Sequence, residues 1–143
     1  MKALKVQIES LSEEWDIEVK ESDTVLHMII IRSKWNGRSD PKTWSAQIAD
    51  DTFFPDIHKW MQQAHKNPHR TKKITINDGT LFTISYADDD NTFQLTISNF
   101  EENTNEYFLA EKLLDFCMKQ THEDAQIVSL KDYWKSSARI DLD

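Results

Sequence analysis

The sequence predicts an α+β fold, a mainly antiparallel sheet of five to seven strands with two or three packed helices. Three observations predict it. Apolar residues alternate with polar ones in three short runs between residues 72 and 98. Two longer stretches, 55–66 and 106–120, carry apolar residues at helical spacing instead. Turn-forming residues separate these runs at lengths that suit antiparallel pairing.

The stretch from Lys72 to Gln120 organises the rest. Ile74 and Ile76 form the first alternating run, Phe82, Ile84 and Tyr86 the second, and Phe93, Leu95 and Ile97 the third. Each run has one apolar face and one wet face. Parity then constrains the turns, because a slip of one residue inverts every side chain. A three-residue loop, Asn77-Asp78-Gly79, pairs Ile74 with Phe82 and places glycine where a left-handed residue is needed. A four-residue loop, Asp88-Asp89-Asp90-Asn91, pairs Tyr86 with Phe93, Ile84 with Leu95 and Phe82 with Ile97. The helix over 106–120 follows, with Leu109, Leu113, Phe116 and Cys117 on one stripe and Asn103 or Asn105 as its cap. It is expected to cover one face of this meander.

The remaining elements follow in chain order. Residues 1–14 fit two periods, and a helix with Leu4, Ile8, Leu11 and Trp15 on one face is preferred over a strand with Leu4, Val6 and Ile8. Trp15, Ile17 and Val19 alternate as a strand, and residues 21–24 form a turn. Val25 to Ile31 is apolar on both faces and is expected to be a central strand, with His27 a satisfied core or edge residue. Trp35-Asn36-Gly37 and Asp40-Pro41 are turn signals, and residues 44–48 a short strand. Trp35 and Trp44 are read as folding back onto the core rather than as a binding patch. The helix over 55–66 starts at Pro55, carries Ile57, Trp60, Met61 and Ala64 on one side, and stops before Asn67-Pro68. Gln126 to Leu130 reads as a short strand, Tyr133 and Trp134 as an aromatic anchor, and residues 135–143 as a polar, frayed tail.

Length and composition bound the function. One domain over residues 1–143 is expected, with enough aromatic residues to argue against disorder. The chain has no long apolar run and no signal-peptide pattern, which reads as a cytoplasmic protein. Cys117 is the only cysteine, so an internal disulfide and a cysteine-based zinc cluster are excluded. No phosphate-binding glycine loop and no dinucleotide fingerprint occurs. The net charge is −8, and its location is informative. Residues 87–124 hold ten acidic side chains against Lys112 and Lys119, which is the whole excess. Such a region repels nucleic acid and attracts basic partners. The bland alternative is that it keeps the protein soluble.

No catalytic motif accompanies this charge. His58, His65 and His69 are close in sequence but lack a fourth ligand and do not form the HExxH spacing. Asp88-Asp89-Asp90-Asn91 lacks the glycine and the closing glutamate of a calcium loop. Cys117 sits on the apolar side of a helix, as a small core residue. The basic cluster of Lys66, His69, Arg70, Lys72 and Lys73 has no interleaved aromatics and reads as a solvated loop. No enzyme activity, cofactor, metal, nucleic acid or membrane partner is therefore expected.

In overall build, small, acidic, aromatic-rich and without motifs, the chain resembles bacterial immunity proteins that neutralise a cognate toxin, such as those of contact-dependent growth inhibition systems. The resemblance is one of general character over the whole chain, and no family residues are carried over. It implies stoichiometric inhibition of a basic toxin domain, often a nuclease, held by acidic side chains. The expected electrostatic contacts are Asp88, Asp89, Asp90, Glu101, Glu102 and Glu106, with Tyr107, Trp35 or Trp134 as aromatic anchors. The alternatives are a small accessory or regulatory subunit, homodimeric through a sheet edge, and a hydrolase using the histidines near 58–69.

Overall fold

A computed structural model describes residues 2–23, 25–48, 52–66, 80–89, 92–98 and 105–137, with the backbone alone at 64–66, 97–98, 105–107 and 135–137. Six strands and three helices follow in the order β1 (Ala3–Glu9), β2 (Glu14–Ser22), β3 (Val25–Trp35), β4 (Arg38–Ile48), α1 (Phe53–Lys66), β5 (Leu81–Ala87), β6 (Thr92–Ser98), α2 (Asn105–Gln120) and α3 (Ala125–Ser137). The strands form one antiparallel sheet in the order β4-β3-β2-β1-β5-β6. This is the α+β arrangement that the alternating and helical runs predict.

The β5–β6 hairpin has the expected register. Tyr86 faces Phe93, Ile84 faces Leu95 and Phe82 faces Ile97 across the connection 88–91. The neighbour on the other side differs from expectation. β5 pairs there with β1, Val6 opposite Ile84 and Ile8 opposite Phe82. Both edges of β5 are therefore taken, which excludes the pairing of Ile74 with Phe82. The expected first strand of the meander, its Asn77-Asp78-Gly79 turn and most of the basic cluster lie outside the described residues.

Residues 3–9 form a strand, not a helix. Leu4, Val6 and Ile8 are all buried on one face, and Leu11, which the helical reading placed inside, is 68% exposed in the following turn. That turn is closed by Ser10, whose backbone N–H donates to the Glu13 carbonyl and whose hydroxyl accepts the Glu13 N–H. A polar side chain that bonds its own backbone in this way offers an alternative to helix, so the period-two face prevails.

β3 is an interior strand, but it is not apolar on both faces in effect. Leu26, Met28 and Ile30 are buried, whereas His27, Ile29 and Ile31 point to the wet side. β3 turns into β4 through Asn36 and Gly37, both at positive φ, the two-residue loop that matches strand twist. Asp40-Pro41 is not a turn. β4 runs through it, because an edge strand tolerates the missing proline N–H. Trp44 stacks on Trp15 at 5.5 Å and Trp35 meets it edge-on at 6.5 Å, so both fold back onto the core as expected.

The segment expected as a strand at 126–130 is instead part of helix α3. Asp124 Oδ1 accepts the Gln126 N–H at 2.9 Å and caps it. Ile127, Leu130 and Trp134 then lie at i, i+3 and i+7 on the buried side. His122 and Glu123 take left-handed backbone at the end of α2, where the Glu123 N–H closes on the Met118 carbonyl at 2.8 Å.

All three helices pack on the same side of the sheet. α1 sets Phe54 against Tyr86, α3 sets Trp134 against Phe82, and α2 contacts α1, α3 and β6. The core lies between these two layers. On the opposite face no described helix covers the strands.

Candidate functional site

The expected acidic contacts begin at the tip of the β5–β6 hairpin. Tyr86 lies on the helix side of β5, and its hydroxyl donates to Asp88 Oδ2 at 2.9 Å. Burial, then the bond to Asp88, then the charges of Asp88 and Glu21 push the phenol up to about 12. Asp88 is therefore half-buried and oriented by the fold, while Asp89 beside it is exposed. The His58 ring packs 5.6 Å from Tyr86 and 5.5 Å from Phe93, which makes it an aromatic packing residue of α1. The side chain of His65 and all of His69 lie outside the described residues. Among the described residues no cluster of His, Cys, Asp and Glu is arranged to hold a metal ion.

Other acids of the 87–124 stretch already have structural work. Asp115 on α2 pairs with Lys131 on α3, and Asp124 caps α3. Asp90, Glu101 and Glu102 lie outside the described residues, and Glu106 and Tyr107 are placed only as backbone in the first turn of α2. Of the six acids expected to touch a partner, the structure thus positions the side chains of Asp88 and Asp89.

The aromatic anchors divide. Trp134 has no exposed surface, and its ring packs 5.2 Å from Phe82. It is a core residue, and its assignment as an anchor is corrected by the helix that turns it inward. Trp35 keeps part of its surface, with the Arg32 guanidinium 4.8 Å from its ring centre.

Arg32 belongs to a polar corner that sequence reasoning missed. It is the fourth inward position of β3 after Leu26, Met28 and Ile30, and its side chain is 6% exposed. It donates to Asp40 Oδ2 at 2.9 Å and to Gln126 Oε1 at 2.6 Å, joining β3, β4 and α3. Glu13 is buried nearby and accepts the Trp15 indole N–H at 3.0 Å. Burial raises its carboxyl above the usual range, against the lowering by Trp15 and by the charge of Arg32. The Tyr133 hydroxyl lies 2.7 Å from Ser10 Oγ and 2.9 Å from Ser12 Oγ. These bonds fasten α3 to the β1–β2 turn. The one signal available in advance was the period of β3, which carries a charged residue inward at position 32.

A shallow groove separates α1 from α2. A cavity of about 110 Å³ is lined by Phe53, Trp60, Phe116 and Lys112, and one of about 170 Å³ adjoins it below the exposed Phe108. The Lys112 ammonium sits 4.6 Å from the Trp60 ring centre. That contact satisfies the lysine without an acid. Among the described residues no helix is long and apolar enough to cross a membrane. Comparison with protein-family models, curated proteins and solved structures found no match to this chain.

Proposed function

We propose that this chain is a protein-binding module for a basic partner, and that the partner is a toxin domain, a nuclease by its charge, neutralised by stoichiometric complex formation. The observation that carries the reading is the concentration of the whole −8 excess in residues 87–124. A localised acidic surface imitates phosphate spacing to a nuclease cleft and speeds the encounter with it. Asp88 and Asp89 at the hairpin tip support it, because the Tyr86 bond holds one carboxylate in place before binding. Pre-orientation lowers the ordering cost of the complex.

The test starts with a tagged chain and lysate of its host, at low and high salt, and continues with the purified partner. The expected result is one basic protein, bound one to one, released by salt, and no longer toxic in the complex. Charge reversal at Asp88 and Asp89 is expected to weaken binding about tenfold or more, the loss of about 1.4 kcal/mol. A partner indifferent to salt and to charge reversal would sink the reading.

A second reading has its own observation. β4 is an edge strand with one side unpaired among the described strands, and its Thr43, Ser45 and Gln47 side chains are exposed. A homodimeric accessory subunit joined along that edge predicts a mass that rises with concentration. Pro41 and Lys42 blunt the edge, which places this reading second.

A further inference from the structure

We infer that the uncovered face of the sheet, around β1, β2 and β3, is a second docking surface, and that it takes a partner presenting lysines or arginines around an aliphatic knob. The inference deepens the reading above and rests on it for the partner being a protein. The surface it names is a different one from the hairpin tip.

The face is not an ordinary wet side of a sheet. Ile29 and Ile31 lie two residues apart on β3 and are 43% and 40% exposed. Leu81 on β5, 47% exposed, faces outward beside Glu9. Strands β1 and β2 lie between Leu81 and the two isoleucines, so Ile29 and Ile31 are the aliphatic patch of this face. Exposed aliphatics gathered on one face mark an interaction surface more than scattered ones do.

Charge selects the occupant. Glu9 and Glu14 are directly opposite one another across β1 and β2. Like charges in that position destabilise a sheet, so the fold itself does not favour them. Asp16 is the next outward residue of β2 and has Ile31 opposite it on β3. Glu18, by contrast, is paired with Lys20 and faces Lys5. Lys34 stands opposite Glu14 at the β2–β3 bulge, yet among the described residues neither is joined in an ion pair. Glu9, Glu14 and Asp16 thus form the unmatched rim of an aliphatic patch. A basic, aliphatic surface meets both features at once: its charges take the rim and its apolar residues cover Ile29 and Ile31.

The test needs no natural partner. Nitrogen-labelled protein is titrated with two synthetic peptides of equal length and charge, one alternating lysine and leucine, the other lysine and serine. Saturable shifts at the amides of Glu9, Glu14, Asp16, Ile29 and Ile31 are expected with the lysine–leucine peptide, at about tenfold lower concentration than with lysine–serine. The variant carrying Ile29→Ser and Ile31→Ser is expected to lose that advantage while keeping its melting transition, since both side chains point to solvent. Shifts confined to Asp88, Asp89 and α2 would overturn the sheet face and leave the acidic-hairpin reading standing. Equal binding of both peptides, or saturable binding of neither, would also overturn it. The salt dependence of the natural partner judges the broader reading separately.

Discussion

The Trp15 indole N–H donates to Glu13 Oε1 at 3.0 Å inside a corner where Glu13 is only 5% exposed. Its carboxyl is raised above 4.5 because burial outweighs both that bond and the charge of Arg32. Between 4.5 and its native value the folded protein holds a proton that the unfolded chain has released. Stability from this group is therefore present below that window and falls as pH rises through it. Gln at position 13 keeps an oxygen for Trp15 and has no proton to lose. Glu13→Gln is expected to match the parent at acid pH and to melt higher at neutral pH. Thermal melts across the acid range measure it. An equal or lower midpoint at neutral pH would show that the Arg32 attraction outweighs burial.

The Tyr86–Asp88 bond makes a prediction at the alkaline end. The phenol is raised from 10.0 to about 12, with burial as the largest cause. The fold favours the neutral form, so this contribution is intact below pH 10 and is lost as pH rises toward 12. In an ultraviolet titration of the native protein, one tyrosine is expected to ionise late. Asp88→Asn removes the charge and keeps an acceptor, so the late step should move down but stay above the ordinary value. Tyr86→Phe should abolish that step and cost about 0.5–1.5 kcal/mol. A late step that survives Tyr86→Phe belongs to another residue.

The sequence made the β5–β6 register legible because three alternating apolar residues in each run and an even loop leave one parity that sets them opposite one another. The same rule misjudged residues 3–9, where four helical positions outvoted one strand position. Val6 and the Ser10 turn decide that case, and a turn closed by a side chain has no period to read. α3 was missed because five residues of 126–130 fit either period, and the deciding facts lie outside them, in the Asp124 cap and in Trp134. The polar corner was illegible for another reason. Arg32 and Gln126 are 94 residues apart, so only the strand order brings them together. Charge counting located an acidic stretch at 87–124 but could not see that Asp115 and Asp124 are spent on α3, nor that Glu9 and Glu14 meet across two strands.

Cys117 gives a direct reading of how tightly α2 is held. The thiol is buried between the helices and is pushed from 9.0 to about 12 by burial alone. A thiolate is the reactive species, so the native protein should resist thiol reagents at mildly alkaline pH. In urea the one thiol should react completely. The urea dependence of the labelling rate then separates local opening of α2 from global unfolding, since only the second has the full denaturant slope. Rapid labelling of the native protein would contradict the burial of Cys117.

Two tryptophans proposed as anchors have opposite fates in the fold, and truncation separates them. Trp134 is wholly enclosed against Phe82, so Trp134→Ala leaves a cavity costing about 3–5 kcal/mol. That is a large part of the stability of an ordinary domain, about 5–15 kcal/mol. Trp35 meets Trp15 by its edge and holds Arg32 over its face, with part of its ring in solvent. Trp35→Ala is expected to cost less, about 1–2.5 kcal/mol from the lost ring pair and cation contact. Urea unfolding of the two variants measures the difference. A partner-binding loss in Trp134→Ala would then report unfolding, whereas the same loss in Trp35→Ala, with the fold intact, would report a contact. Equal stability loss in both variants would place Trp35 in the core with Trp134 and remove it from the binding surface.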